Sequence, residues 1–138
     1  MSHEECINRI NAAMSKAIDD KVEQQIQAAG ADVAPRVTPA DIENNIASEH
    51  YFTAAEGVFG AASAFDRTEG NCGPQSLELL TFCVLVLRNG FTVTGESACA
   101  SPENFDAEVG RKVARANAVN KVWPLMGYEL RSKLAGAA

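Results

Sequence analysis

The sequence predicts an α+β fold in which helices pack a small antiparallel β-hairpin sheet, with an amphipathic helix at the N-terminus. Three observations support this prediction. In residues 4–29 apolar residues recur every three or four positions, which is the period of a helix. Residues 77–88 form an apolar run that ends at Asn89-Gly90, a strong hairpin signal. A helix start and a basic helix follow the hairpin, which is typical of the α+β class.

The chain has 138 residues, which fits one domain preceded by a helical segment. Residues 1–30 are that segment, and Gly30 is a suitable residue to end a helix. Its apolar stripe must be buried either on the main domain or on a second subunit. Residues 38–138 form the α+β domain. Within it, residues 55–75 are rich in Gly, Ala and Ser and are expected to form a mobile loop.

The helix before the hairpin is predicted to begin at Thr38. Thr is a favoured N-cap residue, and Pro39 occupies the first helical position, where proline is well tolerated. The apolar face of this helix is predicted to continue through Ile42, Ile46 and His50, up to about residue 52.

The hairpin register follows from a two-residue loop at Asn89-Gly90, which places Arg88 opposite Phe91. One sheet face then holds Phe82, Val84, Val86, Phe91 and Val93, and the other holds Cys83, Leu85, Leu87, Thr92, Thr94 and Glu96. Because the first strand is apolar on both sides, both faces should be covered by helices or by another subunit. Gly95 would let another backbone or a ligand come close.

The last long helix is predicted to begin after Ser101-Pro102. Its core face should contain Phe105, Val109, Val113, Ala116, Val119 and Trp123, and a neighbouring outer face should carry Arg111, Arg115, Ala118 and Val122. Pro124 is expected to end or kink this helix. A short helix over residues 128–134 would then close the fold.

Composition excludes several classes of function. No apolar run approaches the roughly 20 residues that span a bilayer, and the N-terminus has no secretory signal pattern. The four cysteines match no zinc or thioredoxin spacing, so we expect reduced thiols in a cytoplasm and neither a metal nor a cofactor. Residues 1–75 carry 12 acidic and 5 basic residues, whereas residues 76–138 carry 6 and 7. A small anion fits this balance, and long nucleic acid does not.

The candidate site residues favour binding of a phosphate-bearing molecule. Arg111 and Arg115 are four residues apart on a helix, so their guanidinium groups project together and could grip phosphate oxygens. The alternative is an ordinary solvated basic face. Thr92 and Thr94, on one strand face with little bulk, could hydrogen-bond to a ribose or a base edge, or could form an ordinary solvent-exposed hairpin edge.

Aromatic and amide side chains complete the candidate set. Phe82 and Phe91 could stack on a purine or lie in the core, and Asn104 could contact a ligand or cap the helix. Arg88, at the end of the hairpin, is the remaining candidate ligand-binding residue. We predict no enzyme activity, because the sequence has no phosphate-binding loop, dinucleotide-binding glycine motif or nucleophile motif.

Residues 36–52 (RVTPADIENNIASEHYF) and 79–131, with NGFTVTGESACASPENFDAEVGRKVARANAV and VWPLMGYELR, resemble a family of small phage and prophage proteins. That family in turn resembles the Thoeris anti-defence sponge proteins of the first type, which are not enzymes. The resemblance implies that the chain captures, without cleaving it, glycocyclic ADP-ribose made by a bacterial TIR-domain protein in the host cytoplasm. For some relatives it also implies capture of CBASS cyclic oligonucleotides at a separate site.

The resemblance also implies a homo-oligomer, a dimer or a hexamer built from dimers, with the nucleotide pocket between subunits. It assigns Arg111 and Arg115 as the phosphate clamp, and Asn104 with Phe82 or Phe91 as the amide and stacking partners. Two other functions stay open at this point. One is a protein-interaction module that binds a host factor through the acidic N-terminal helix, and the other is a nucleotide-degrading enzyme.

Overall fold

The computed structural model describes residues 19–31, 33–63 and 73–137. Over these ranges the predicted α+β class is confirmed, with four helices and one three-stranded antiparallel sheet in the order β1-β2-β3. The elements are α1 (19–28), α2 (Pro39–Asn45), β1 (Ile46–Thr53), α3 (Ala54–Ala61), β2 (Leu80–Leu87), β3 (Thr92–Ala98) and α4 (Ala107–Ala137). Short 3-10 turns span Gln75–Leu79 and Pro102–Asn104.

Helix α1 ends where the sequence predicts. Gly30 has a φ of 68°, its N–H donates to the Gln27 carbonyl at 3.1 Å, and the Ala31 N–H donates to the Ile26 carbonyl at 3.0 Å. This pair of bonds is the Schellman helix ending, which requires a left-handed residue and therefore favours glycine. The predicted helix before residue 19 lies outside the described residues. The described end of α1 lies against the main domain, because Val22 and Ile26 line a cavity together with Trp123.

Helix α2 begins at Thr38 as predicted, but it is much shorter than expected. The Thr38 Oγ1 accepts the Asp41 N–H at 3.1 Å, and the Asp41 carboxylate accepts the Thr38 N–H at 2.9 Å. The predicted continuation to about residue 52 is wrong, because Ile46–Thr53 is strand β1. The residues that match a helical period here also pair with β2, with Phe52 opposite Phe82. This pairing supplies long-range contacts that local periodicity cannot reveal.

The hairpin has a three-residue loop, so the predicted register is wrong by one residue. Gly90 has a φ of 88° and its N–H donates to the Leu87 carbonyl at 2.9 Å, while the Leu87 N–H donates to the Phe91 carbonyl at 2.8 Å. Val93 therefore lies opposite Leu85, and Thr94 lies opposite Val84. A turn followed by a left-handed glycine forms this longer loop, and a shift of one residue moves every side chain of β3 to the other face.

The core lies between α4 and one face of the sheet, and the predicted core face of the last helix needs correction. The sheet contributes Cys83, Leu85, Leu87 and Val93 to the core, and α4 contributes Ala114, Ala118 and Val122. Ala116, Val119 and Trp123 are only half-buried. A Cβ atom at Gly95 would lie 2.1 Å from the Ala114 carbonyl oxygen, so the backbones touch there. Small residues must face the sheet at that contact, and the larger ones lie to the side.

Helix α4 does not end at Pro124, contrary to the prediction of a break and a separate short helix. It continues to Ala137 with Pro124 inside it. Proline removes the N–H that would bond to the Asn120 carbonyl. Because Pro124 and Asn120 are both exposed, water can replace the lost bond.

The segment predicted as a mobile loop over residues 55–75 is ordered in part. Ala54–Ala61 forms α3, which begins with the Thr53 Oγ1 accepting the Glu56 N–H at 3.2 Å. Residues 64–72 of the predicted loop lie outside the described residues. The Gly- and Ala-rich composition concealed this helix, although the Thr53 and Glu56 spacing is that of a capping box.

Candidate functional site

A cleft with two lobes opens where β1 ends and where α3 and α4 begin. The two lobes share the wall residues Thr53, Glu56 and Phe105. The inner lobe has a volume of about 180 Å³ and is further lined by Tyr51, Phe52, Thr81, Ala107 and Arg111. The outer lobe has a volume of about 410 Å³ and is further lined by Ala55, Glu78, Leu79 and Pro102. We call this feature the Arg111 cleft.

Arg111 is an available cation on the wall of this cleft. Four other basic residues of α4 pair with carboxylates: Lys112, Arg115, Lys121 and Lys133. Within the described ranges, the exposed Arg111 side chain has neither an ion pair nor a side-chain hydrogen bond. An unpaired guanidinium can offer its planar set of N–H donors to an anion without first breaking an internal contact.

Aromatic rings surround the inner lobe. Phe52, Phe105 and Tyr51 contribute to its wall, and Phe52 stacks on Phe82 with ring centroids 5.4 Å apart and planes at 22°. Phe82 does not line the lobe, and the Phe52 ring stacked on it lies on the sheet face opposite α4. Flat apolar walls of this kind suit the face of a nucleobase or another planar ring.

One polar group lies deep in the inner lobe. Thr81 is only 3% exposed, and its hydroxyl has no hydrogen-bond partner among the described residues. Gly110 of α4 lies beside it, and a Cβ atom at that position would come within 3.0 Å of the Thr81 Oγ1.

The outer lobe has the opposite charge from the Arg111 side. Glu56 and Glu78 line it, and the Thr53 hydroxyl donates to Glu56 at 3.3 Å. Carboxylates accept hydrogen bonds from sugar hydroxyls and repel phosphates. The cleft is therefore suited to a ligand with an anionic part at Arg111 and a neutral, hydroxyl-bearing part at the outer lobe.

Arg115 does not share the cleft with Arg111. Its guanidinium bonds to Glu43 at 2.7 and 3.1 Å and to Glu49 at 2.8 Å, so it joins α4 to α2 and β1. The bonds to Glu43 and Glu49 raise the pKa of Arg115 further above its usual value, and the Arg115 bond holds the pKa of Glu49 below its usual range. Arg115 instead borders a separate cavity of about 490 Å³ with Trp123. The joint phosphate clamp remains a prediction.

Tyr51 and Cys83 are held in their protonated forms. Burial, followed by the charges of Cys83 and Glu49, raises the pKa of Tyr51, whose hydroxyl donates to Glu49 at 3.2 Å. Burial likewise raises the pKa of the Cys83 thiol, which is fully buried in the core. Neither group is therefore prepared to act as a nucleophile at neutral pH.

The remaining candidate residues lie apart from the Arg111 cleft. Thr92 and Thr94 share with Phe82 the sheet face that α4 does not cover, but Thr92 pairs with Val86 near the opposite end of β2. The four residue steps from Phe82 to Val86 span roughly 13 Å at the usual rise of a strand. Thr94 donates to Glu96 at 3.4 Å. On one chain, the two threonines and Arg111 do not form a common site.

Arg88, Phe91 and Asn104 occupy two different ends of the molecule. The Arg88 backbone N–H donates to the Asn45 carbonyl at 2.9 Å and its guanidinium bonds to the Asn44 carbonyl, so it ties the hairpin to α2. Phe91, at the same end, is 55% exposed. Asn104 is half-buried and directly precedes Phe105, which lines both lobes of the cleft.

Of the predicted site residues only Arg111 lines the cleft, and sequence reasoning missed the others, among them Tyr51, Thr53, Glu56 and Thr81. The spacing of Thr53 and Glu56 was an available signal for a helix start. Nothing local indicated that β1 and the start of β2 would meet the start of α4, because these segments are far apart in sequence.

The fold and the cleft define a small α+β protein in which a long helix covers one face of a three-stranded sheet. Residues 37–134 match the model of the phage protein (N4 Gp49/phage Sf6 gene 66) family, so the chain belongs to that family. The predicted phage family is thereby confirmed. No curated protein and no solved structure matches the chain. Each helix in the described part is too short or too polar to cross a membrane.

Proposed function

We propose that this protein is a phage-encoded immune antagonist that binds and sequesters a bacterial defence signalling nucleotide without cleaving it. Glycocyclic ADP-ribose, in the host bacterial cytoplasm, is the proposed ligand. The observation that carries the proposal is the Arg111 cleft, where a guanidinium with no ion pair among the described residues lies beside aromatic walls. The resemblance of the quoted sequence stretches to the Thoeris anti-defence sponge proteins supports the same ligand class.

The chemistry of the cleft supports a ligand with both phosphate and ring. Guanidinium groups bind phosphate oxygens through paired, charge-assisted hydrogen bonds. Aromatic side chains bind a nucleobase through its faces, at about 1–3 kcal/mol per stacked base. Arg111 and Phe105 line the same lobe, so one nucleotide can use both.

Sequestration needs binding alone, and the groups near the cleft are consistent with that. The raised pKa values of Tyr51 and Cys83 keep both side chains protonated. A protein that removes a signal by capture must bind it in stoichiometric amounts and release it slowly.

A second copy of the chain is part of the proposal, as a dimer or a hexamer of dimers. The face of the sheet opposite α4 carries Phe82, Val84 and Val86, which are half-buried, and Phe52, which is 36% exposed. The residues of β2 form an apolar row next to Thr92 and Thr94 of β3, and an apolar centre with polar residues around it is typical of an interaction site. The inner lobe, at about 180 Å³, is smaller than the roughly 300–1,000 Å³ of most ligand pockets, so a second copy could complete the enclosure.

The test is to incubate the purified protein with glycocyclic ADP-ribose, remove unbound small molecules, heat-denature the complex and analyse the supernatant by mass spectrometry. Intact nucleotide released in near-stoichiometric amount is the expected result. Cleaved nucleotide at substoichiometric protein would indicate an enzyme instead. A CBASS cyclic oligonucleotide is tested in parallel as the second ligand class, at a separate site.

If neither nucleotide is recovered, the sequestration proposal is overturned. The protein-interaction alternative would then be the better hypothesis. It is tested by measuring in cells how well two variants block defence. Deletion of residues 1–30 should abolish the activity, and Arg111→Ala should leave it unchanged.

A further inference from the structure

We infer that the Thr81 hydroxyl is a ligand contact, and that the part of the ligand bound in the inner lobe is a planar ring with a hydrogen-bonding edge. The inference rests on the proposed nucleotide-binding function and specifies which part of the ligand the inner lobe accepts. Its basis is the juxtaposition in one lobe of a buried hydroxyl without a partner among the described residues, the aromatic residues Tyr51 and Phe105, and Arg111.

The Thr81 hydroxyl is unusual because buried polar groups in proteins nearly always have a hydrogen-bond partner. Thr81 is only 3% exposed, yet its Oγ1 has no hydrogen-bond partner within the described ranges. Because Thr81 lines the inner lobe, a ligand there can supply the missing partner.

Gly110 packs directly beside this hydroxyl on the helix side. It lies inside α4, where glycine stabilises a helix less than alanine does because its backbone loses more conformational freedom on folding. A Cβ atom at Gly110 would lie 3.0 Å from the Thr81 Oγ1 and 3.9 Å from the Phe105 ring. A larger residue would therefore press on the hydroxyl and reduce the space beside it.

The depth of the two polar groups orients the ligand. Thr81 is buried, whereas Arg111 is exposed at the mouth of the same lobe. A phosphate bound by Arg111 would lie outside, and the ring attached to it would enter between Tyr51 and Phe105. A ring has apolar faces for the aromatic side chains and a polar edge for the hydroxyl. A bare phosphate would leave both of these features unused.

The test compares Thr81→Val with Thr81→Ser. Valine has the shape of threonine without its hydroxyl, and serine keeps the hydroxyl. Ser132→Ala is the control, because it removes an exposed hydroxyl near the C-terminal end of α4. Each variant is titrated calorimetrically with glycocyclic ADP-ribose, and the melting temperature of each is measured without nucleotide.

We expect Thr81→Val to bind about tenfold more weakly, Thr81→Ser to stay within about threefold of the natural protein, and Ser132→Ala to bind normally. Without nucleotide, Thr81→Val should melt at the same temperature or higher, because it removes a buried hydroxyl that none of the described residues bonds. This combination of weaker binding with undiminished stability is not produced by a purely structural threonine.

Other outcomes separate the inference from the proposed function. If Thr81→Val binds as tightly as the natural protein, the inference is overturned and sequestration stands. If Thr81→Val melts at a lower temperature or does not fold, the hydroxyl has a structural role and the inference is again overturned. If the natural protein gives no binding heat, the proposed function fails and the inference fails with it.

Discussion

Gly95 of β3 and Ala118 of α4 meet backbone to backbone. A Cβ atom at Gly95 would lie 2.3 Å from the Ala118 nitrogen, closer than any real contact of that kind. The approach explains why α4 presents Ala114 and Ala118 to the sheet, both with no exposed surface. It also fixes the position of the helix whose first turns carry Arg111, so the core contact and the candidate site depend on one another.

Gly95→Ala should destabilise the protein. The added methyl group would clash with helix backbone rather than with a flexible side chain, so the helix must move away from the sheet. We expect a loss of about 1–3 kcal/mol or more in the free energy of unfolding, measured by denaturant titration. Gly127→Ala is the control, because nothing lies within 4 Å of the added Cβ atom there. That variant should gain roughly 0.5–1 kcal/mol from helix propensity. Equal stability of the two variants would contradict the close approach.

Arg111→Ala should abolish most nucleotide binding and leave stability unchanged. Within the described residues the Arg111 side chain has no internal partner, so its removal breaks no contact of the folded chain. A lost charge-assisted hydrogen bond to phosphate should weaken binding by about 1.5–3 kcal/mol in calorimetry. Arg131→Ala, at an exposed position further along α4, is the matched control and should bind normally. Unchanged affinity of Arg111→Ala would move the site elsewhere.

The ion pairs of Arg115 should make the free energy of unfolding depend on pH. The Arg115 bond lowers the pKa of Glu49 in the folded state. The stabilisation is therefore present above the usual carboxylate pKa and is lost as the pH falls through the lowered value. Because Glu49 is 41% exposed, the effect should be below about 1 kcal/mol. Melting curves of the natural protein and Glu49→Gln, recorded from pH 7 to pH 3, should converge in acid.

Glu103→Gln is the control for this pH series, since Glu103 is exposed on the 3-10 turn before α4. It should follow the natural protein at every pH. A constant difference between the natural protein and Glu49→Gln down to pH 3 would show that the Arg115 pair does not contribute in this way.

Val84→Glu should convert the proposed oligomer into monomers. Val84 is half-buried at the middle of β2, on the sheet face opposite α4. A carboxylate at the centre of an apolar interface would lose its hydration without a partner, which is strongly unfavourable. Sedimentation of the natural protein and of the variant measures the change. Gln27→Glu, on the exposed surface of α1, adds the same charge and should leave the mass unaltered. A natural protein that sediments as a monomer would remove this interface.

Local signals in the sequence predicted the α+β class, the start of α2 at Thr38, the end of α1 at Gly30 and the position of the hairpin. Each depends on a few neighbouring residues: a side chain that caps N–H groups, or a glycine with positive φ. The sequence also predicted that another backbone or a ligand could approach Gly95 closely, although only the structure identified α4 as the partner.

The tertiary structure decided β1, the register of the hairpin and the composition of the cleft. Ile46–Thr53 has a pattern compatible with a helix, and its pairing with β2 made it a strand. Tyr51, Glu56, Thr81 and Arg111 come from four different elements, and no local pattern relates them. Contacts between distant segments determine such a site, because their free energy depends on which surfaces meet and not on the order of residues within any one segment.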